Sequence, residues 1–116
     1  MTPLFPPEWF AAGVVTAESA ADFARLAAAS PGKSVRFWRW AAFRDWAEER
    51  TPLTAAECLA AYRLGVSEPD AALGVAIVCS VLYQPRCPAE VHAAAAASDR
   101  SSIRRAARFR AGERRP

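Results

Sequence analysis

The sequence predicts an all-α protein, a short α-solenoid of three helix-turn-helix repeats, and three observations carry that prediction. One stretch, Ala71 to Tyr83 (AALGVAIVCSVLY), is free of charge, with Ser80 and the tyrosine hydroxyl its only polar side-chain groups. A bilayer crossing needs about 20 apolar residues, so this shorter run must be kept from water by the protein itself, and a helix apolar all round belongs in a core. The segments before and after it look like partial copies of one unit, which supplies neighbours built on the same plan. Clusters of Pro, Gly, Ser and Thr stand where one helix should end and the next begin.

Met1 to Pro7 is extended by its prolines, and Pro7 with Glu8 suits the first turn of a short helix carrying Trp9 and Phe10. This segment, residues 1–16, should cap the first repeat. Alanines with Phe23 and Leu26 predict a helix from Ala17 to Ala29, ended by Ser30-Pro31-Gly32. The next runs from Ser34 to about Glu49; Phe37, Trp38, Trp40, Phe43 and Trp46 point several ways around its axis, so more than one face should be covered. Thr54 with Glu57 forms a capping box opening a helix to about Leu64, where Gly65 should end it in a left-handed conformation. Ser67-Glu68-Pro69-Asp70 then starts the central apolar helix, its acidic side chains near the positive end of the helix dipole. Gln84 to Pro88 breaks the chain, a helix follows over Ala89 to Ala97, and the last helix runs from about Arg100 to Arg110, with Ala111 to Pro116 fraying as a basic tail. The predicted organisation is one helical-repeat domain over 1–110, with units at about 17–49, 54–83 and 87–110.

A chain of 116 residues with 53% hydrophobic and 23% charged residues is large and apolar enough to bury a core without metal or disulfide staples. Met1 to Val15 lacks the basic and apolar regions of a secretory signal, and no stretch is long enough for a membrane anchor, so the sequence predicts a cytoplasmic protein with no membrane partner. Cys58, Cys79 and Cys87 form no CxxC pair and are expected to be reduced packing residues.

Overlaying the segments brings out the repeat. Ser19 to Arg36 (SAADFARLAAASPGKSVR) aligns without a gap on the segment from Cys87 (CPAEVHAAAAASDRSSIRR), so that Ser30 meets Ser98 and Ser34-Val35-Arg36 meets Ser102-Ile103-Arg104. The middle unit from Thr54 fits with a longer loop, placing unit starts about 33 to 35 residues apart. One helix pair cannot bury its own apolar face, whereas three stacked pairs can. Tyr83 to Ala107, with its proline-bearing entry Cys87-Pro88-Ala89-Glu90-Val91, its Ser98-Asp99 turn and its Ile103-Arg104 step, resembles the leucine-rich-repeat variant family, and more widely the HEAT-like α-helical repeats. The resemblance implies a right-handed, curved helical stack that binds a protein or a nucleic acid through its surface. The cysteine cluster with which some members hold an iron-sulfur centre is not present, so no cofactor is expected.

Catalytic patterns are missing: there is no Gly-rich phosphate loop, no GxSxG and no HExxH. His92, the single histidine, lies about 200° around a helix from Glu90 and reads as a surface residue. Cys87 sits where a helix dipole could activate a thiol, or where an inert cysteine could simply pack. With no nucleophile, base and orienter set, the chain is not expected to be an enzyme and no metal site is expected.

Charge is distributed unevenly. Residues 99–116 hold seven arginines against Asp99 and Glu113, whereas residues 1–98 carry a net charge of −2. Arg100, Arg104 and Arg108 fall at i, i+4 and i+8, with Arg105 beside them and Arg110, Arg114 and Arg115 continuing into the tail. Such a stripe can lie along nucleic-acid phosphates; a GC-rich coding bias or a solvated end helix gives the same residues. The leading expectation is a protein-interaction or scaffold module, self-associating or with an unknown protein partner, using Trp9, Trp38 and Trp46 as tentative contacts. The alternative is a small nucleic-acid-binding protein using the arginine stripe.

Overall fold

A computed structural model describes residues 3–113, and within them the chain is all helical: α1 (Pro7–Ala11), α2 (Ala17–Ala29), α3 (Val35–Arg50), α4 (Ala55–Ser67), α5 (Ala71–Leu82), α6 (Ala89–Ala96) and α7 (Ser101–Glu113). The chain divides into two compact units, Met1–Arg50 and Thr51–Pro116, the division falling at the Thr51-Pro52 punctuation.

In the first unit, α2 opens on a capping box that the sequence did not announce with a carboxylate. The Thr16 hydroxyl accepts from the Ser19 amide at 3.1 Å and the Ser19 hydroxyl accepts from the Thr16 amide at 2.9 Å, answering two of the donors a helix start leaves open. Gly13, at φ 77°, takes the left-handed turn between α1 and this cap. Helix α3 carries most of the unit's buried side chains, Trp38, Ala42, Phe43 and Trp46 among them, and lies beside α2. A buried guanidinium fixes the N-terminal segment: Arg39 donates from Nε to the Leu4 carbonyl at 2.6 Å and from Nη2 to the Pro3 carbonyl at 3.2 Å.

In the second unit, the predicted capping box forms, with the Glu57 carboxylate accepting from the Thr54 amide at 2.9 Å and the Thr54 hydroxyl from the Glu57 amide at 3.1 Å. The Leu53 amide donates to Gln84 Oε1 at 2.9 Å, which ties the entry of α4 to the exit of α5. Helix α5 is the centre of the unit: it lies against α4, α6 and α7, and Leu73, Ile77, Val78, Val81 and Leu82 are buried. Its start is capped by Asp70, whose carboxylate accepts from the Ala72 and Leu73 amides at 3.1 and 3.2 Å.

Two boundaries differ from the sequence reading. Gly65 does not terminate α4, which continues to Ser67; the glycine is needed because α5 crosses there, and a Cβ on Gly65 would stand 2.9 Å from Val78 Cγ2 and 3.0 Å from the Gly74 carbonyl oxygen. Helix α7 continues past Arg110 through Ala111, Gly112 and Glu113.

Candidate functional site

The three tryptophans proposed as contacts are core residues. Trp9, Trp38 and Trp46 are 0%, 9% and 6% exposed, and of the three Trp46 alone shows an edge in the groove described below. Their rings sit in aromatic contacts: Phe5 with Trp9 at 5.6 Å between centroids, Phe23 with Trp38 at 6.4 Å, Phe43 with Trp46 at 5.8 Å. Large flat side chains at several angles around α3 fill space, and that is why the helix needs so many of them.

The arginine stripe is split by the fold. A helix leaves its last four carbonyls without intrahelical partners, and cations are favoured beside that negative end. Arg100 donates to the carbonyls of Gly65 at 3.4 Å and Glu68 at 3.0 Å, at the end of α4. Arg104 donates to those of Ser98 and Asp99 at 2.7 and 3.0 Å, just beyond α6. Arg110 donates to the Leu82 carbonyl at 3.0 Å, the last residue of α5, and lies over the Tyr83 ring at 4.6 Å. Arg100 and Arg110 cap helix ends, and Arg104 braces the loop between α6 and α7. Arg105 and Arg108 are exposed, on the same side of α7 as Phe109, which is 66% exposed. Arg114 and Arg115 lie outside the described residues.

The first unit presents a different surface. Helix α2 sets Phe23, Leu26 and several of its alanines apart from its charged residues, yet none of its thirteen residues is buried, and Leu26 is 52% exposed. Beside it runs a groove of about 400 Å³ with Val14, Phe23, Leu26, Ala42 and Trp46 as its apolar lining. Asp22, Asp45, Glu49 and Arg50 supply its charged lining. Asp22 is paired with Arg25, and Glu49 lies 3.6 Å from Arg50, whose guanidinium sits over the Trp46 ring. The groove can accommodate an apolar side chain flanked by cations.

Burial pushes the thiols of Cys58 and Cys79 up from the ordinary 9.0; for Cys58 the Glu57 charge adds to this and a hydrogen bond with Cys87 opposes it. Burial likewise raises the Tyr62 hydroxyl above the ordinary 10.0. Cys87 is half-buried ahead of α6, with its thiol 3.9 Å from the Pro88 carbonyl, and His92 is half-buried on α6. Among the described residues no group of three or more His, Cys, Asp or Glu side chains could hold a metal ion, and no helix is long and apolar enough to cross a membrane.

Sequence reasoning passed over Leu26 and Phe109 as surface residues. A helical projection contains the signal for Phe109: Ile103, Ala107 and Arg110 share the inward side, and Phe109 falls with Arg105 on the other. For Leu26 no such signal exists, because its exposure follows from how little of α2 is covered. Comparison with protein-family models, with curated proteins and with solved structures gives no match in any of the three.

Proposed function

We propose that this chain is a non-enzymatic protein-interaction module, a short stack of three HEAT-like helix-turn-helix units that binds another protein chain through the groove beside α2. The observation that carries the reading is α2 itself: an amphipathic helix with no buried residue, next to an apolar groove with charged edges. An uncovered helix of thirteen residues gains little from its own hydrogen bonds, because helices of this length are marginal without packing. The repeat part of the reading draws support from the second unit, where α4 neighbours α6 and α5 neighbours α7, first helix beside first and second beside second.

The test compares a tagged wild-type chain with Leu26→Asp after cross-linking in its native cells. The substitution is at an exposed position, so folding should change by no more than about 0.5 kcal/mol. A discrete adduct with the wild-type chain that is lost in Leu26→Asp is the expected result; identical adduct patterns, or none for either chain, would overturn the reading.

Nucleic-acid binding is the second reading, favoured by the exposure of Arg105 and Arg108 alone among the described arginines of the stripe. Fluorescence anisotropy of duplex DNA and single-stranded RNA at two salt concentrations decides it. Binding through phosphates would show a log–log salt slope of about −0.9 per contact on DNA, and Arg105→Ala with Arg108→Ala would flatten it.

A further inference from the structure

We propose that the groove beside α2 receives the outer face of α7 from a second copy of this chain. The inference rests on the interaction reading above and names its partner. Arg105, Arg108 and Phe109 form a compact set on α7: an exposed aromatic ring with one cation a helical turn behind it and another at its side. Such a ring is costly to leave in water, since an aromatic side chain buries about 150–250 Å² when it finds a site. Other α7 side chains are already committed inward, Ile103 and Ala107 to the core, Arg104 to the Ser98 loop carbonyl and Arg110 to the Leu82 carbonyl at the end of α5.

The groove has the opposite character at a matching spacing. Its apolar lining of Val14, Phe23, Leu26 and Trp46 suits a phenyl ring, and three carboxylates against one guanidinium line it. Asp45 and Glu49 stand four residues apart on α3, about 6 Å along the axis, and Arg105 and Arg108 stand three apart, about 4.5 Å. Two cations on one helix then meet Asp45 and Glu49 on the other, Glu49 exchanging its exposed contact with Arg50 for the incoming arginine, with Phe109 between them and the groove floor. Asp45 is exposed and, among the described residues, carries no ion pair. The two patches are different surfaces, so each contact between copies is heterologous.

The test is sedimentation equilibrium on the full chain with two charge-reversed variants, Asp45→Arg/Glu49→Arg and Arg105→Glu/Arg108→Glu, each checked for an unchanged helical spectrum. The wild type should show a mass above that of the 12.5 kDa chain, falling back toward it as salt screens the pairs. Each variant alone should lose at least tenfold in association. An equimolar mixture should regain it, because the reversed groove of one then meets the reversed helix of the other. Phe109→Ala should weaken association without any change of charge. A monomeric wild type at millimolar concentration, association that survives either reversal, or a mixture that stays monomeric would each overturn the proposal. A monomeric wild type that still loses a cross-linked adduct on Leu26→Asp would sink this inference alone; no association and no such adduct would sink the interaction reading with it.

Discussion

Replacing Gly74 by alanine sets two well-characterised effects against each other at one position. In a helix interior alanine is favoured over glycine by about 1 kcal/mol, so α5 taken alone should be stabilised. In the fold, the added Cβ would lie 2.6 Å from the Gly65 carbonyl oxygen and 3.0 Å from Arg100 Nη1. Restoring ordinary contact of about 3.4 Å requires α4 and α5 to separate by about 0.8 Å, and interiors of native density resist such shifts at about 1–3 kcal/mol. Moving α4 also disturbs the Arg100 hydrogen bonds to Gly65 and Glu68. The steric and capping losses outweigh the propensity gain, so Gly74→Ala should destabilise the second unit by about 1–3 kcal/mol. Urea unfolding followed by circular dichroism reads this as a midpoint lowered by roughly 1 M, given slopes of about 1–3 kcal/mol/M. Gly112→Ala is the matched control: nothing lies within 4 Å of its added Cβ, so the same substitution there should be neutral or stabilise by up to about 1 kcal/mol. A Gly74→Ala protein as stable as the wild type would refute the close crossing of α4 and α5.

Three further outcomes follow from named contacts. Arg100→Ala should cost about 1–3 kcal/mol by uncapping α4, whereas Arg105→Ala, on an exposed face, should stay within about 0.5 kcal/mol; thermal unfolding separates them. Arg39→Ala should release the Pro3–Leu4 segment, and limited proteolysis should then cut the N-terminal segment well before the rest of the chain, while the wild type resists. Burial, helped by the Glu57 charge, holds the Cys58 thiol proton to higher pH in the folded chain than in the unfolded chain, which loses it from about pH 9. Above that pH the unfolded state binds fewer protons, so stability should fall as pH rises, with a slope of at most about 1.4 kcal/mol per pH unit for this group. Unfolding midpoints that hold steady from about pH 8 to pH 10 would contradict a protected thiol.

Local rules were readable in the sequence wherever a residue acts through its near neighbours. The Thr54–Glu57 capping box, the Ala17–Ala29 helix and the apolar α5 over Ala71–Leu82 depend on spacing, capping chemistry and hydropathy, and those are written along the chain. What the sequence hid was set by residues far apart in number. Gly65 looked like a helix stop because glycine commonly is one; its actual constraint comes from Val78, Gly74 and Ile77 on the next helix. Arg100 and Arg104 looked like members of a phosphate-binding stripe because periodicity records direction around an axis and not the carbonyls waiting there. The tryptophans looked like contact residues through their number, but each finds a buried position among Phe5, Phe23 and Phe43. The candidate site was the least legible part. Leu26 and Phe109 gain their significance from what the fold leaves uncovered, and composition reports only what could be buried.

A photo-activatable benzophenone side chain at position 26 asks whether the α2 side of the first unit is a contact surface for protein. The same probe at position 86, an exposed position in the second unit, serves as the reference. After irradiation in the native cells, a contact surface gives one defined protein adduct from position 26, with none above background from position 86. Equal labelling from the two positions, or no adduct from position 26, would mean that the exposed side of α2 is ordinary surface.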